Sequence, residues 1–135
     1  MTTLEQQLQQ FLPAENIKAR LIDRISYASD AGFYQLIPKV VLLPRDVADV
    51  QQIFALAQKI HIPVVFRAGG TSLSGQCITD GILVDISRHW KKIHVEEQSN
   101  VVRVQPGITG GMVNHYLKKH NKKIGPDPAS INAAM

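Results

Sequence analysis

The stretch VVLLPRDVADVQQIFALAQKIHIPVVF, residues 40–66, decides the fold. VVLL is a short unbroken apolar run, which reads as a buried strand, and Pro44 ends it. Asp46 supplies an N-cap and Asp49 a first-turn acid, after which Val47, Val50, Phe54 and Ala57 give a helix its apolar stripe. IPVVF, after His61, is a second short buried strand. Strand, helix and strand in that order make a βαβ unit, whose two strands are expected to be parallel neighbours.

Moving outward toward the C-terminus, ILVDI at 82–86 alternates, with Ile82, Val84 and Ile86 on one face. KIHV near 92–95 and VVRVQ at 101–105 predict an antiparallel pair around EEQSN. Thr109 caps a final helix with Met112, Val113, Tyr116 and Leu117 as its apolar face, ended by a lysine cluster and Gly125. Toward the N-terminus, SYASDAGFYQLIP at 26–38 has no period and reads as a loop. Leu4, Leu8, Phe11 and Leu12 predict a short amphipathic helix over 3–12, and Ile17, Leu21 and Ile25 a second one from Pro13 to Ile25. The fold class is therefore α+β: a small parallel βαβ sheet with helices plus an antiparallel part, with residues 1–26 as an N-terminal helical segment.

A length of 135 residues bounds the chain to one domain or part of one. With 44% hydrophobic and 19% charged residues, it is neither a fully disordered nor a collagen-like chain. No apolar stretch approaches the roughly 20 residues that cross a bilayer, and MTTLEQQLQQFLP lacks the regions of a secretory signal, so a soluble, cytoplasmic chain is expected. Lone Cys77 gives neither a disulfide nor a CxxC redox motif. The net charge of +4 comes from 15 basic and 11 acidic residues; without Lys118, Lys119, Lys122 and Lys123 the balance is 11 against 11. Cations at the end of a helix complement its dipole, which accounts for the cluster; a phosphate or polyanion patch is the alternative. His115 and His120 are five apart, off the shared face that zinc motifs use, and His61, His89 and His94 have no acid at a metal spacing, so no metal site is expected. Trp90 follows a turn and is expected to pack on the sheet.

The densest chemical signal is RAGGTSLSGQ, residues 67–76, directly after IPVVF. Gly69, Gly70 and Gly75 permit positive φ and close backbone approach, while Thr71, Ser72 and Ser74 add hydroxyls. Such a run turns successive N–H groups inward as an anion nest, with Arg67 as a cation at its rim; an ordinary turn between strands is the plainer reading. GxxxxGK[ST] and GxGxxG are both absent, and a strand rather than a helix follows, so a Rossmann-type phosphate site is not expected.

The ordered blocks LLPRDVADVQQIFALAQKIHIPVVFRAGGTSLSGQ, GILVDIS, VVRVQPG and GPDPAS resemble the FAD-linked oxidase family with a flavin domain of the vanillyl-alcohol-oxidase or p-cresol-methylhydroxylase type. The branch they most resemble is that of the D-lactate, D-2-hydroxyglutarate and glycolate dehydrogenases, some of which are fused to iron–sulfur modules. The match runs from about Tyr27 to the last residue, making 27–135 a partial FAD-binding domain. The resemblance implies that Arg67, Ala68, Gly69, Gly70, Thr71 and Ser72, with Ser74 and Gly75, wrap the FAD pyrophosphate. It also implies that Pro106 and Gly107 lie near the cofactor, and that the segment from Pro126 through Asp127, Pro128 and Ser130 to Asn132 runs along the flavin and the pyrophosphate. The two prolines stiffen that segment. Nothing matches the histidine that tethers FAD covalently in some members, so noncovalent FAD is expected. Asp30, with Tyr27 and Tyr34, matches a family loop read as structural, and Asp85 is expected to bond turn backbone.

Family members continue with a further flavin segment, a second part of the FAD domain and a cap domain carrying the catalytic residues. The chain thus resembles an N-terminal subdomain truncated at its C-terminal end. The expected function is an FAD-binding, pyrophosphate-loop subdomain of a flavin-dependent 2-hydroxy-acid dehydrogenase or oxidase, with no catalytic residue and no hydroxy-acid oxidation by this chain alone. The partner would be FAD, with the missing half of the enzyme or a second copy as further candidates. The alternative is a noncatalytic fragment that keeps the fold and self-associates, or serves as an interaction module, without tight FAD binding. Nucleic-acid binding by the lysine cluster is a third and weaker reading.

Overall fold

The computed structural model describes residues 2–96 and 100–135. The chain opens with helix α1, Leu4–Leu8, started by a capping box in which the Thr3 side chain accepts from Gln6 N–H and the Gln6 side chain accepts from Thr3 N–H. Residues 13–25 depart from the expected helix. Ala14–Asn16 form a 3-10 turn, Ile17–Lys18 are strand β1, and only Leu21–Ser26 are helical, as α2. The spacing of Ile17, Leu21 and Ile25 imitates a helical face, but sheet pairing wins at Ile17, which is opposite Leu42 in an antiparallel register. Asn16 is buried and its carbonyl accepts from Leu43 N–H, extending that pairing.

Strand β2, Val40–Leu42, helix α3, Val47–Ile60, and strand β3, Val64–Arg67, are the predicted βαβ unit. Asp46 caps α3 by accepting from Asp49 N–H, and His61 ends the helix in the left-handed region at φ 53°. β2 and β3 are not neighbours, contrary to the expectation. Strand β4, Ile82–Asp85, lies between them, parallel to both, giving the order β1-β2-β4-β3. Every residue of β4 is buried, so it takes the centre, whereas β3, with Phe66 exposed, takes the edge.

One core joins the N-terminal residues to this sheet. Leu8, Leu12 and Ile17 pack with Val40, Leu42, Ile82 and Val84 and with Ile53 and Ala57 of α3. Trp90 packs against the same core, as expected, and its indole N–H donates to the Pro44 carbonyl at 2.9 Å. Beyond the sheet, β5, Ile93–Val95, and β6, Val102–Val104, pair antiparallel as predicted. Of the turn expected between them, residues 97–99 lie outside the described residues. Helix α4, Gly110–Leu117, is capped by Thr109 and buries Val113 and Leu117, while Met112 is half exposed. The lysine cluster begins in the 3-10 turn Lys118–His120, and Asn121, at φ 53°, ends it four residues before the expected Gly125. Among the described residues no helix is long and apolar enough to cross a membrane.

Candidate functional site

The loop 67–76 leaves the carboxyl end of β3, the edge of a parallel sheet where connecting loops build ligand sites. Gly70 and Gly75 take φ values of +65° and +73°, which an L side chain resists, so glycine is required at both. Ser72 organises the second half of the loop. Its hydroxyl oxygen accepts from the N–H groups of Ser74 and Gln76, each at 3.2 Å, and its proton goes to the Gln76 side-chain carbonyl. In the first half no described residue accepts from the N–H groups of Gly69, Gly70, Thr71, Ser72 or Leu73. Five successive backbone donors without an acceptor have the composition of an anion nest.

The Arg67 side chain departs from the rim position expected of it. It folds under the loop, where its Nη1 donates to the carbonyls of Ser29 at 2.7 Å and Tyr27 at 3.3 Å, with the guanidinium 5.4 Å from the centre of the Tyr27 ring. A Cβ at Gly70 would come within 2.5 Å of Nη2. Tyr27 in turn donates its hydroxyl to Asp85 at 2.8 Å, and Asp85 also accepts from Ser87 N–H, the turn-backbone role expected of it. Burial, followed by the Asp85 hydrogen bond, pushes the Tyr27 phenol up to about 12, so it stays protonated and donating. Asp30 backs the same loop. Its Oδ1 accepts from Gly32 N–H at 2.8 Å, and that bond is the main cause holding the carboxyl below the usual carboxylate range, against the opposing effect of burial. Its Oδ2 is buried without a partner.

The other predicted residues divide. Gly107 is buried, donating its N–H to the Trp90 carbonyl at 2.7 Å, and Pro106 beside it is exposed. The tail does reach the loop, through a residue the sequence did not single out: a Cβ at Gly69 would run into the carbonyl of Ala133. Asn132 lies against Gly111, while the carbonyls of Ala134 and Ile131 accept from the N–H groups of Gly110 and Gly111 at 3.1 and 2.8 Å. These bonds satisfy donors that the start of α4 would otherwise leave open. Pro126, Asp127, Pro128 and Ser130 are exposed, with Asp127 in a loose ion pair to Lys123 at 3.9 Å. Pro126 alone among the predicted residues lines a groove of about 930 Å³ between β5–β6 and the end of α4, rimmed by Lys119, Lys122 and Lys123. That groove takes no residue from loop 67–76.

Sequence reasoning missed the contacts of Tyr27, Ser29 and Ala133. A usable signal was present for the last: Gly110–Gly111 in the first turn of a helix are poor helix formers, and such a pair marks close approach by another segment. Among the described residues no group of three or more histidine, cysteine or acidic side chains is placed to hold a metal.

Residues 38–135 match the family described as an FAD binding domain. The chain is 37% identical over 116 residues to the D-2-hydroxyglutarate dehydrogenase of Escherichia coli strain K12, covering 83% of this chain and 11% of that protein. It is 29% identical over 132 residues to the glycolate oxidase subunit GlcD of the same strain, covering 96% of this chain and 26% of that one. Among solved structures, 4-ethylphenol oxidase from Gulosibacter chungangensis matches with a TM-score of 0.82 at 19% identity, over 96% of this chain and 26% of that chain. p-Cresol methylhydroxylase matches with a TM-score of 0.75 at 18% identity, over 87% and 24%. These two share the fold. The chain thus spans between a tenth and about a quarter of the length of the curated relatives cited.

Proposed function

The chain belongs to the FAD binding domain family, which it matches over residues 38–135, and from that premise we propose that loop 67–76 holds the pyrophosphate of noncovalently bound FAD. The observation that carries this reading is the run of N–H groups from Gly69 to Leu73 that have no acceptor among the described residues, with left-handed Gly70 inside the run and left-handed Gly75 just beyond it, above an arginine with no ion-pair partner among the described residues. Ala133 closes one side of the nest at Gly69. Bound flavin would supply a hydride acceptor; this chain's own residues bind and orient it. Oxidation of a 2-hydroxy acid is proposed only for a protein as complete as its dehydrogenase relatives. We assign no catalytic residue to this chain, and we place it in the cytoplasm.

A second reading has its own observation. Phe33 is 84% and Leu73 72% exposed, and Gly32 lies against the Leu73 carbonyl, so an apolar lip borders the nest. Such a patch favours association with a second copy or with the remainder of an enzyme.

Gly70→Val tests the first reading. The new side chain meets the Arg67 guanidinium and a φ of +65°, a strain of about 1–2 kcal/mol. FAD affinity is expected to fall at least tenfold while circular dichroism keeps the folded spectrum. Equal affinity in both proteins would remove the loop from the site.

A further inference from the structure

Arg67 and Asp85 are register partners on neighbouring strands, yet they form no ion pair. The reason is Tyr27. Its hydroxyl and the Ser87 N–H occupy the Asp85 carboxylate, while its own carbonyl, with that of Ser29, takes Nη1 of Arg67. The guanidinium is therefore a half-buried cation whose remaining edge, Nε and Nη2, has no protein acceptor among the described residues and is not sealed off from solvent. That edge lies under Gly70, with both nitrogens within 2.8 Å of where a Cβ would stand.

We propose that the Arg67 side chain is a positioning residue for a diphosphate in loop 67–76: held by Tyr27 and Ser29 away from Asp85, it props the left-handed turn at Gly70 and charges the floor of the nest. This rests on the loop being the phosphate site. The planar fork matters because two carbonyls and the Gly70 turn are served by one rigid group, which an ammonium does not reproduce. Tyr27 acts as a spacer. Without its hydroxyl, Asp85 is free to draw the guanidinium out from under the loop.

ADP and FAD titrations of the full chain at low and high salt, with melting curves for every variant, test this. Arg67→Gln is expected to weaken ADP at least tenfold and to flatten the salt dependence of its binding. Arg67→Lys keeps the charge and the salt dependence but recovers only part of the affinity. Tyr27→Phe is expected to weaken ADP several-fold, and the double variant Tyr27→Phe/Asp85→Asn to regain affinity over Tyr27→Phe, because the competing carboxylate is gone. A tyrosine and an aspartate that merely brace the fold would make the double variant the worse of the two, overturning the proposal. Unchanged ADP affinity in a folded Arg67→Gln, with wild type binding normally, overturns it while leaving the phosphate site intact. A wild-type chain that binds neither ADP nor FAD overturns both.

Discussion

Asp49 shows how one acidic side chain serves both a helix start and the core. Its carboxylate accepts from Arg45 Nε, Nη2 and backbone N–H, each at 2.8 Å, while its own N–H goes to the Asp46 cap. The Arg45 side chain is the main cause holding its carboxyl below the ordinary carboxylate range, against the upward pull of burial. The folded state therefore takes up this proton at lower pH than the unfolded chain does. Stability from Asp49 is complete above the ordinary value near 3.8 and is lost as pH falls through it toward the folded value. Asp49→Asn is expected to cost roughly 2 kcal/mol at pH 7. In urea melts, the gap between variant and wild type should narrow below about pH 4. A gap that stays constant from pH 7 to pH 3 would show that the charge plays no part.

At the scale of elements, β4 carries the sheet. Leu83 is wholly buried and paired on both sides, to Val41 of β2 and Val65 of β3. Leu83→Ala should cost about 3 kcal/mol, and Val64→Ala on the half-buried edge strand under about 1.5 kcal/mol, read as shifts in urea midpoint. Similar losses at both positions would contradict a central β4. The elements of the βαβ unit were legible because Asp46, a helical period and two apolar runs agree on boundaries, but the expected stripe was set partly on the wrong face: Val47 and Phe54 are exposed, and α3 buries Ile53 and Ala57. The order of the strands in the sheet was not legible. Periodicity reports burial, and VVLL, VVFR and ILVD are all short runs dominated by apolar residues, so none of them states its place in the sheet. β1 escaped because two residues make no period, and their partner at Leu42 is remote in sequence.

Taken whole, the molecule assembles its candidate site from segments far apart along the chain. RAGGTSLSGQ was legible because the composition of a glycine-rich loop states its backbone freedom directly. What steadies it was not, since the bonds from Arg67 to Ser29 and from Tyr27 to Asp85 span 38 and 58 residues, and no local pattern encodes such contacts. The tail completes the same arrangement by bringing Ala133 against Gly69 while its carbonyls seat on the start of α4. A nest, a cation beneath it and a tail beside it make up the proposed diphosphate site, and the central claim is that this chain binds the ADP end of FAD. The measurement that tests it most directly is a titration of FAD into the purified chain, followed by flavin fluorescence, with ADP and FMN as competitors. Saturable binding that ADP displaces and FMN does not is the predicted result. No binding at high micromolar FAD, or displacement by FMN and not by ADP, would contradict it.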